Sequence, residues 1–214
     1  MFCERGAVED IEQALARSAS VAGDERPIVR CLRLSAEGAH AFCRGDLISA
    51  RAKLRQAIAL TQPASEVPFR RAWLRALLRI EVAAADFDAV EDLRQQIADL
   101  PGHAGDIELQ GEIAHSRAAE DFHRGGAAAS LRTLAAMVEQ LPFGRPQACA
   151  RLDAAWLHLE DGGVARAEQL LAGLGAWRRE HPAGLAVDAR LQFALGRPDE
   201  GDGLTGAHLQ REAV

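Results

Sequence analysis

The sequence predicts an all-α protein, a helical solenoid of about four to five helix–turn–helix repeats along its 214 residues. The first observation behind this is a recurring register. An apolar residue stands three positions before a Gly or Ala turn, and small and apolar residues follow at +5, +9 and +12. Phe42 leads to Gly45, then Ala50, Leu54 and Ala57. Val82 leads to Ala85, then Val90, Arg94 with Leu93 beside it, and Ile97. Phe122 leads to Gly125, Ser130, Leu134 and Met137, and Leu159 leads to Gly162, Ala167, Leu171 and Leu174. Phe193 leads to Gly196 and then Gly201, where the pattern fades. From Gly6 onward the turn anchors lie 39, 40, 40, 37 and 34 residues apart, a period that signals stacked helix pairs. The second observation is that apolar residues recur at helical rather than alternating spacing, without β-branched runs. The third is a proline-bearing connector at each step to the next unit: Pro63 and Pro68, Pro101, Pro142 and Pro146, Pro182.

The elements follow in order. A half-repeat occupies residues 1–26, with Gly6 followed by Ile11 and Leu15. Repeat one (27–63) pairs helices near 27–43 and 46–60. Gly45 tolerates the positive φ of a tight turn, and Asp46 suits the next helix N-terminus. Repeat two (66–101) runs from Pro68, placed to start a helix rather than break one, to Ala84, and then from Phe87 to Leu100. Asp86, Asp88 and Glu91 suit the N-terminal end of its second helix, and Pro101-Gly102 stops it. Repeat three (106–142) holds helices near 106–123 and 127–141, and repeat four (146–178) holds helices near 146–160 and 164–176. A partial fifth repeat (182–200) opens at Pro182 and turns at Gly196. The whole reads as one repeat domain over 1–214, its Gly-rich acidic end (201–214) expected to be a disordered tail. Both edges read as unfinished repeats, as in a fragment of a longer protein or an array whose ends a partner covers.

Bulk composition narrows the function classes. A net charge of −6 argues against general nucleic-acid binding and against an anionic membrane as main partner. No apolar run approaches the roughly 20 residues of a spanning helix, and the start lacks the pattern of a secretory signal. Tyr and Asn are missing and Lys53 is the only lysine, the bias of a high-GC bacterial genome. Cys31 and Cys43 share one expected helix, about 18 Å apart, well beyond disulfide reach. Cys3, Cys31, Cys43 and Cys149 are therefore expected to be reduced, in a cytoplasmic protein.

The register resembles the tetratricopeptide repeat. Repeat one carries Leu34, Gly38, Ala41, Gly45, Asp46, Ala50, Leu54, Ala57 and Pro63 in the matching places, and repeat four keeps Ala155, Gly162, Ala167 and Leu171. Arg94 and Ser130 occupy slots that the family fills with apolar or small residues, and the period exceeds the family's usual length. The longer repeats are similar to those in the arms of large bacterial LuxR-type regulators of the maltose-activator class. The resemblance implies a right-handed α-solenoid whose first helices line a concave face. It places Phe42, Cys43, Arg75, Arg79, Val82, His115, Phe122, His123 and Trp156 on that face, suited to an extended or helical peptide with acidic groups.

The sharpest local feature is Arg70-Arg71-x3-Arg75-x3-Arg79. Arg71, Arg75 and Arg79 stand at i, i+4 and i+8 and form one helical stripe. Such a stripe either clamps a carboxylate or phosphate or is a solvated ridge paired with neighbouring Glu and Asp. His115 and His123 lie about 12 Å apart along one helix, too far for one metal. No phosphate loop, nucleophile elbow or His-Glu-x2-His occurs. The expectation is a non-enzymatic interaction scaffold without cofactor or metal. Its groove residues would be Arg71, Arg75, Arg79, Phe42, His115, Phe122, His123 and Trp156. The alternative is a sensor or self-association arm of a larger bacterial signalling or transcription-regulatory protein, forming homo-oligomers through uncapped repeat ends.

Overall fold

The structure is a computed structural model that describes residues 12, 13, 16, 26–61, 67–180 and 182–197. Most of the N-terminal half-repeat, Gly201 and the expected tail lie outside them. Among the described residues every regular element is helical. The helices are α1 (Pro27–Cys43), α2 (Leu47–Leu60), α3 (Val67–Ala83), α4 (Phe87–Ala98), α5 (Ile107–Gly125), α6 (Ala127–Gln140), α7 (Arg145–Glu160), α8 (Val164–Ala172), α9 (Trp177–Glu180) and α10 (Pro182–Ala194), with a 3₁₀ turn at His103–Gly105. The chain divides into two compact units between Ser116 and Arg117, inside α5.

In the first unit α1 packs on α2, α2 on α3 and α3 on α4, and α1 also touches α3. In the second, α6 packs on α7, α7 on α8, and α10 on both α7 and α8. Contact between the first helices of successive hairpins, α1 with α3 and α7 with α10, is the packing of an α-solenoid. It follows from the register, because one helical hairpin cannot bury its apolar face alone. The +5, +9 and +12 positions are all interior: Ala50 (0% exposed), Leu54 (2%) and Ala57 (0%) in α2, with Ala167 (0%), Leu171 (0%) and Leu174 (1%) in the second unit. The large members contribute about 1.5–3 kcal/mol each by leaving water. The small ones let helices approach. A Cβ on Gly38 of α1 would stand 3.1 Å from Leu54 Cγ and 3.3 Å from the Ala50 carbonyl. Helix α7, which meets three neighbours, buries Ala148, Ala150, Leu152, Ala154, Ala155 and Leu159 and so lacks a single wet face.

The turns explain the register. The apolar residue three places before each anchor offers its carbonyl to the anchor's own N–H: Gly45 to Phe42 (2.9 Å), Ala85 to Val82 (3.0 Å), Gly162 to Leu159 (3.3 Å) and Gly196 to Phe193 (3.0 Å). The next N–H reaches back five residues, as from Asp46 to Ala41 (2.9 Å) and from Asp86 to Glu81 (3.0 Å). Together these are the paired bonds of a Schellman turn. Asp46 and Asp86 then cap the following helices, accepting from the N–H groups of Ser49 (3.0 Å) and Ala89 (3.2 Å).

Three expectations need correction. In repeat three the left-handed residue is Gly126 (φ +76°), not Gly125, and its N–H bonds the Phe122 carbonyl at 2.9 Å in a single four-residue closure. Helix α5 therefore runs two residues past its expected end. Helix α8 stops at Ala172 rather than 176, because the backbone bends at Gly173 and turns left-handed at Gly175 (φ +57°), although Leu174 keeps its buried slot. Cys43 is disulfide-bonded, whereas Cys31 and Cys149 are in no disulfide.

Candidate functional site

Helix α3 carries the arginine stripe because Arg71, Arg75 and Arg79 stand one turn apart, while Trp73, Leu74, Leu77, Leu78 and Ile80 are buried on its other sides. The stripe faces the first half of α5, where Asp106, Glu108 and Glu112 form a matching acidic row. Arg71 Nη1 lies 3.8 Å from Asp106 Oδ2, and its Nη2 donates to the Pro101 carbonyl. Arg75 Nη1 lies 3.8 Å from Glu108 Oε2. Arg79 Nη2 donates to Glu112 Oε1, the closest contact of the three. The arginines are thus held in a ladder across two repeats by carboxylates of the same chain. Between the ladder's first two pairs lies a cavity of about 200 Å³ lined by Arg71, Ala72, Arg75, Asp106 and Leu109.

The other expected groove residues separate by unit. In the first unit Phe42 is half-buried near the end of α1, and half-buried His115 shares a hydrogen bond between its Nδ1 and the Gly111 carbonyl at 3.0 Å. In the second unit Phe122 (50% exposed) and Trp156 (42%) present large apolar surface, and His123 is exposed near the end of α5. Among the described residues no cluster of three or more His, Cys, Asp or Glu could hold a metal ion.

Two polar centres escape a reading of the sequence. Glu81 is fully buried (0% exposed) and takes Arg51 Nη2 on one carboxylate oxygen and Arg55 Nη2 on the other at 3.1 Å, both from α2. Arg94 (8% exposed) donates from Nε to Ser116 Oγ at 2.9 Å and from Nη1 to Glu91 Oε2 at 2.8 Å, joining α4 to α5. The repeat period does not find them: Arg51 and Glu81 are 30 residues apart and Arg94 and Ser116 are 22, both short of the spacing between successive turns. In the second unit, Gln147 Nε2 donates to the Val138 and Leu141 carbonyls, both at 2.8 Å, and closes the C-terminal end of α6.

Comparison with known proteins adds little to this geometry. No family model matches the chain, and no curated protein matches it. Among solved structures, the chain is similar to a crystal structure of nearly identical TPR-like repeats from a Podospora anserina protein described as a kinesin light chain. The identity is 20%, the coverage 88% of each chain and the TM-score 0.46, a similarity too distant to assign a family.

Proposed function

We propose that this chain is a non-enzymatic protein-interaction scaffold that takes a peptide or partner helix bearing acidic groups, with Arg75 as the principal contact and Arg71 and Arg79 beside it. The observation that carries this reading is the state of Arg75. Its side chain lines the cavity and is 31% exposed, and its Nη1 stands 3.8 Å from Glu108 Oε2, beyond hydrogen-bonding distance. A partner's carboxylate can take it bidentately without breaking a hydrogen bond inside the chain. Arg79, bonded to Glu112, would hold the helix in place rather than meet the partner. Phe122 and Trp156 supply apolar anchors on the second unit, in keeping with the weight aromatic side chains carry at interfaces. Phe42 and His115 on the first unit, and separately His123 on the second, are further contacts in this reading. Among the described residues no helix is long and apolar enough to cross a membrane.

The test is capture from native cytosol with the wild type, Arg75→Gln, Arg75→Glu and Phe122→Ala, each checked for unchanged helicity and unfolding midpoint. A partner held by the wild type, weakened by Arg75→Gln and lost with Arg75→Glu supports the reading. A partner retained by Arg75→Glu at wild-type affinity overturns it.

A further inference from the structure

One turn departs from the others in two respects at once. The described inter-helix turns place glycine in the left-handed region at Gly45 (φ +78°), Gly126 (+76°), Gly162 (+76°) and Gly196 (+75°), whereas the turn between α3 and α4 places Ala85 there, at φ +54°. A Cβ makes that conformation costly, so something must hold it. The same turn carries the buried carboxylate. Four residues before Ala85 stands Glu81, where the other turns have Ala41, Phe122, His158 and Gln192.

Arg51 of the preceding hairpin connects the two peculiarities. Its Nη2 donates to Glu81 Oε2 and lies 3.5 Å from Asp86 Oδ2, and Arg55 takes the other oxygen of Glu81. Glu81 and Asp86 are the two ends of the turn, since the Asp86 N–H bonds the Glu81 carbonyl at 3.0 Å, and Asp86 also caps α4. A single guanidinium therefore grips both shoulders of the strained residue from outside the repeat. We infer that Arg51 is an inter-repeat clamp that holds the Ala85 turn closed, so that the turn of the second repeat opens when the first hairpin lets go. Occupancy of the first hairpin is thereby coupled to the N-terminal end of α4 through a device that the glycine turns do not need.

Native-state hydrogen exchange at residues 82–90 tests this. The variants are Arg51→Met and the triple Arg51→Met/Arg55→Met/Glu81→Met, each with and without Ala85→Gly. The triple variant leaves no buried charge behind, which separates loss of the bridge from the effect of an orphaned Glu81. Both clamp variants should exchange about tenfold faster across this turn, relative to the amides of α2, as expected when a left-handed alanine loses its support. With Ala85→Gly present the acceleration should fall to about threefold or less, because glycine adopts the turn unaided. Equal acceleration in both backgrounds overturns the clamp. So does acceleration by Arg51→Met alone with none in the triple variant, which assigns the effect to the orphaned carboxylate.

Discussion

The arginine ladder makes a graded prediction about which guanidinium is tied down and which is available. Two unit charges about 4 Å apart attract by ~4 kcal/mol at an effective dielectric of 20. Desolvation, side-chain entropy and screening offset most of this, leaving ~0–1 kcal/mol for exposed pairs. The first two pairs, Arg71–Asp106 and Arg75–Glu108, are 3.8 Å apart, with side chains 26–31% exposed on the arginine side and 29–42% on the acidic side. Glu112, in the third pair, is only 16% exposed and hydrogen-bonded to Arg79. Double-mutant cycles to glutamine should therefore give a coupling of about 1 kcal/mol for Arg79–Glu112, where a charged hydrogen bond is lost, and below about 0.3 kcal/mol for Arg75–Glu108. Urea unfolding followed by fluorescence of Trp73, buried at 3% and stacked on Phe69 with ring centroids 6.0 Å apart, reports on the first unit once Trp156 and Trp177 are replaced by Phe. Repeating the cycles in 1 M salt, where the screening length is ~3 Å, should abolish the weaker coupling and spare part of the stronger. A coupling for Arg75–Glu108 equal to or above that of Arg79–Glu112 would refute the reasoning. It would also remove the basis for assigning Arg75 to the partner.

Further expectations concern the second unit. Leu171→Ala, at a position 0% exposed, should cost about 2–5 kcal/mol, read as a lower urea midpoint with an unchanged m-value. Gln147→Leu conserves volume but orphans the Val138 and Leu141 carbonyls, so about 2 kcal/mol should be lost, with faster amide exchange at the end of α6. Burial, and then the positive Arg166, hold His158 below its ordinary value of 6.5 against the opposing pull of Asp161. The unfolded chain then binds the proton more readily, so the His158 contribution is full above pH 6.5 and is lost as pH falls through 6.5 towards the lowered value. An NMR titration locates the shifted value, and His158→Gln should flatten the decline in unfolding midpoint between neutral pH and about pH 5.

What the sequence discloses and what it hides divide along a physical line. The turn and the small interior residue are local demands of the backbone. A Schellman closure needs a left-handed residue, and close helix approach needs Ala50 or Ala167, so Gly45, Ala57 and Leu171 announce themselves by spacing alone. Where two neighbours satisfy the demand equally, spacing loses its resolution: Gly125 and Gly126 can both turn the chain, and the left-handed residue is the second. The ladder and the Glu81 centre are legible only through contacts 26 to 35 residues away, which spacing within one helix cannot supply. Read on its own helix, Glu81 is a polar residue among Ile80 and Val82, and nothing there marks it as the most buried charge described. The period therefore specifies the positions every repeat shares, whereas the proposed recognition rests on positions where repeats differ, such as Arg75, Phe122 and Trp156. A residue that departs from the period is either compensated locally, as Ala85 is by Arg51 and Glu81, or a contact reserved for something outside the chain. In the proposed function Arg75, partly exposed and held by an ion pair without a hydrogen bond, is of the second kind.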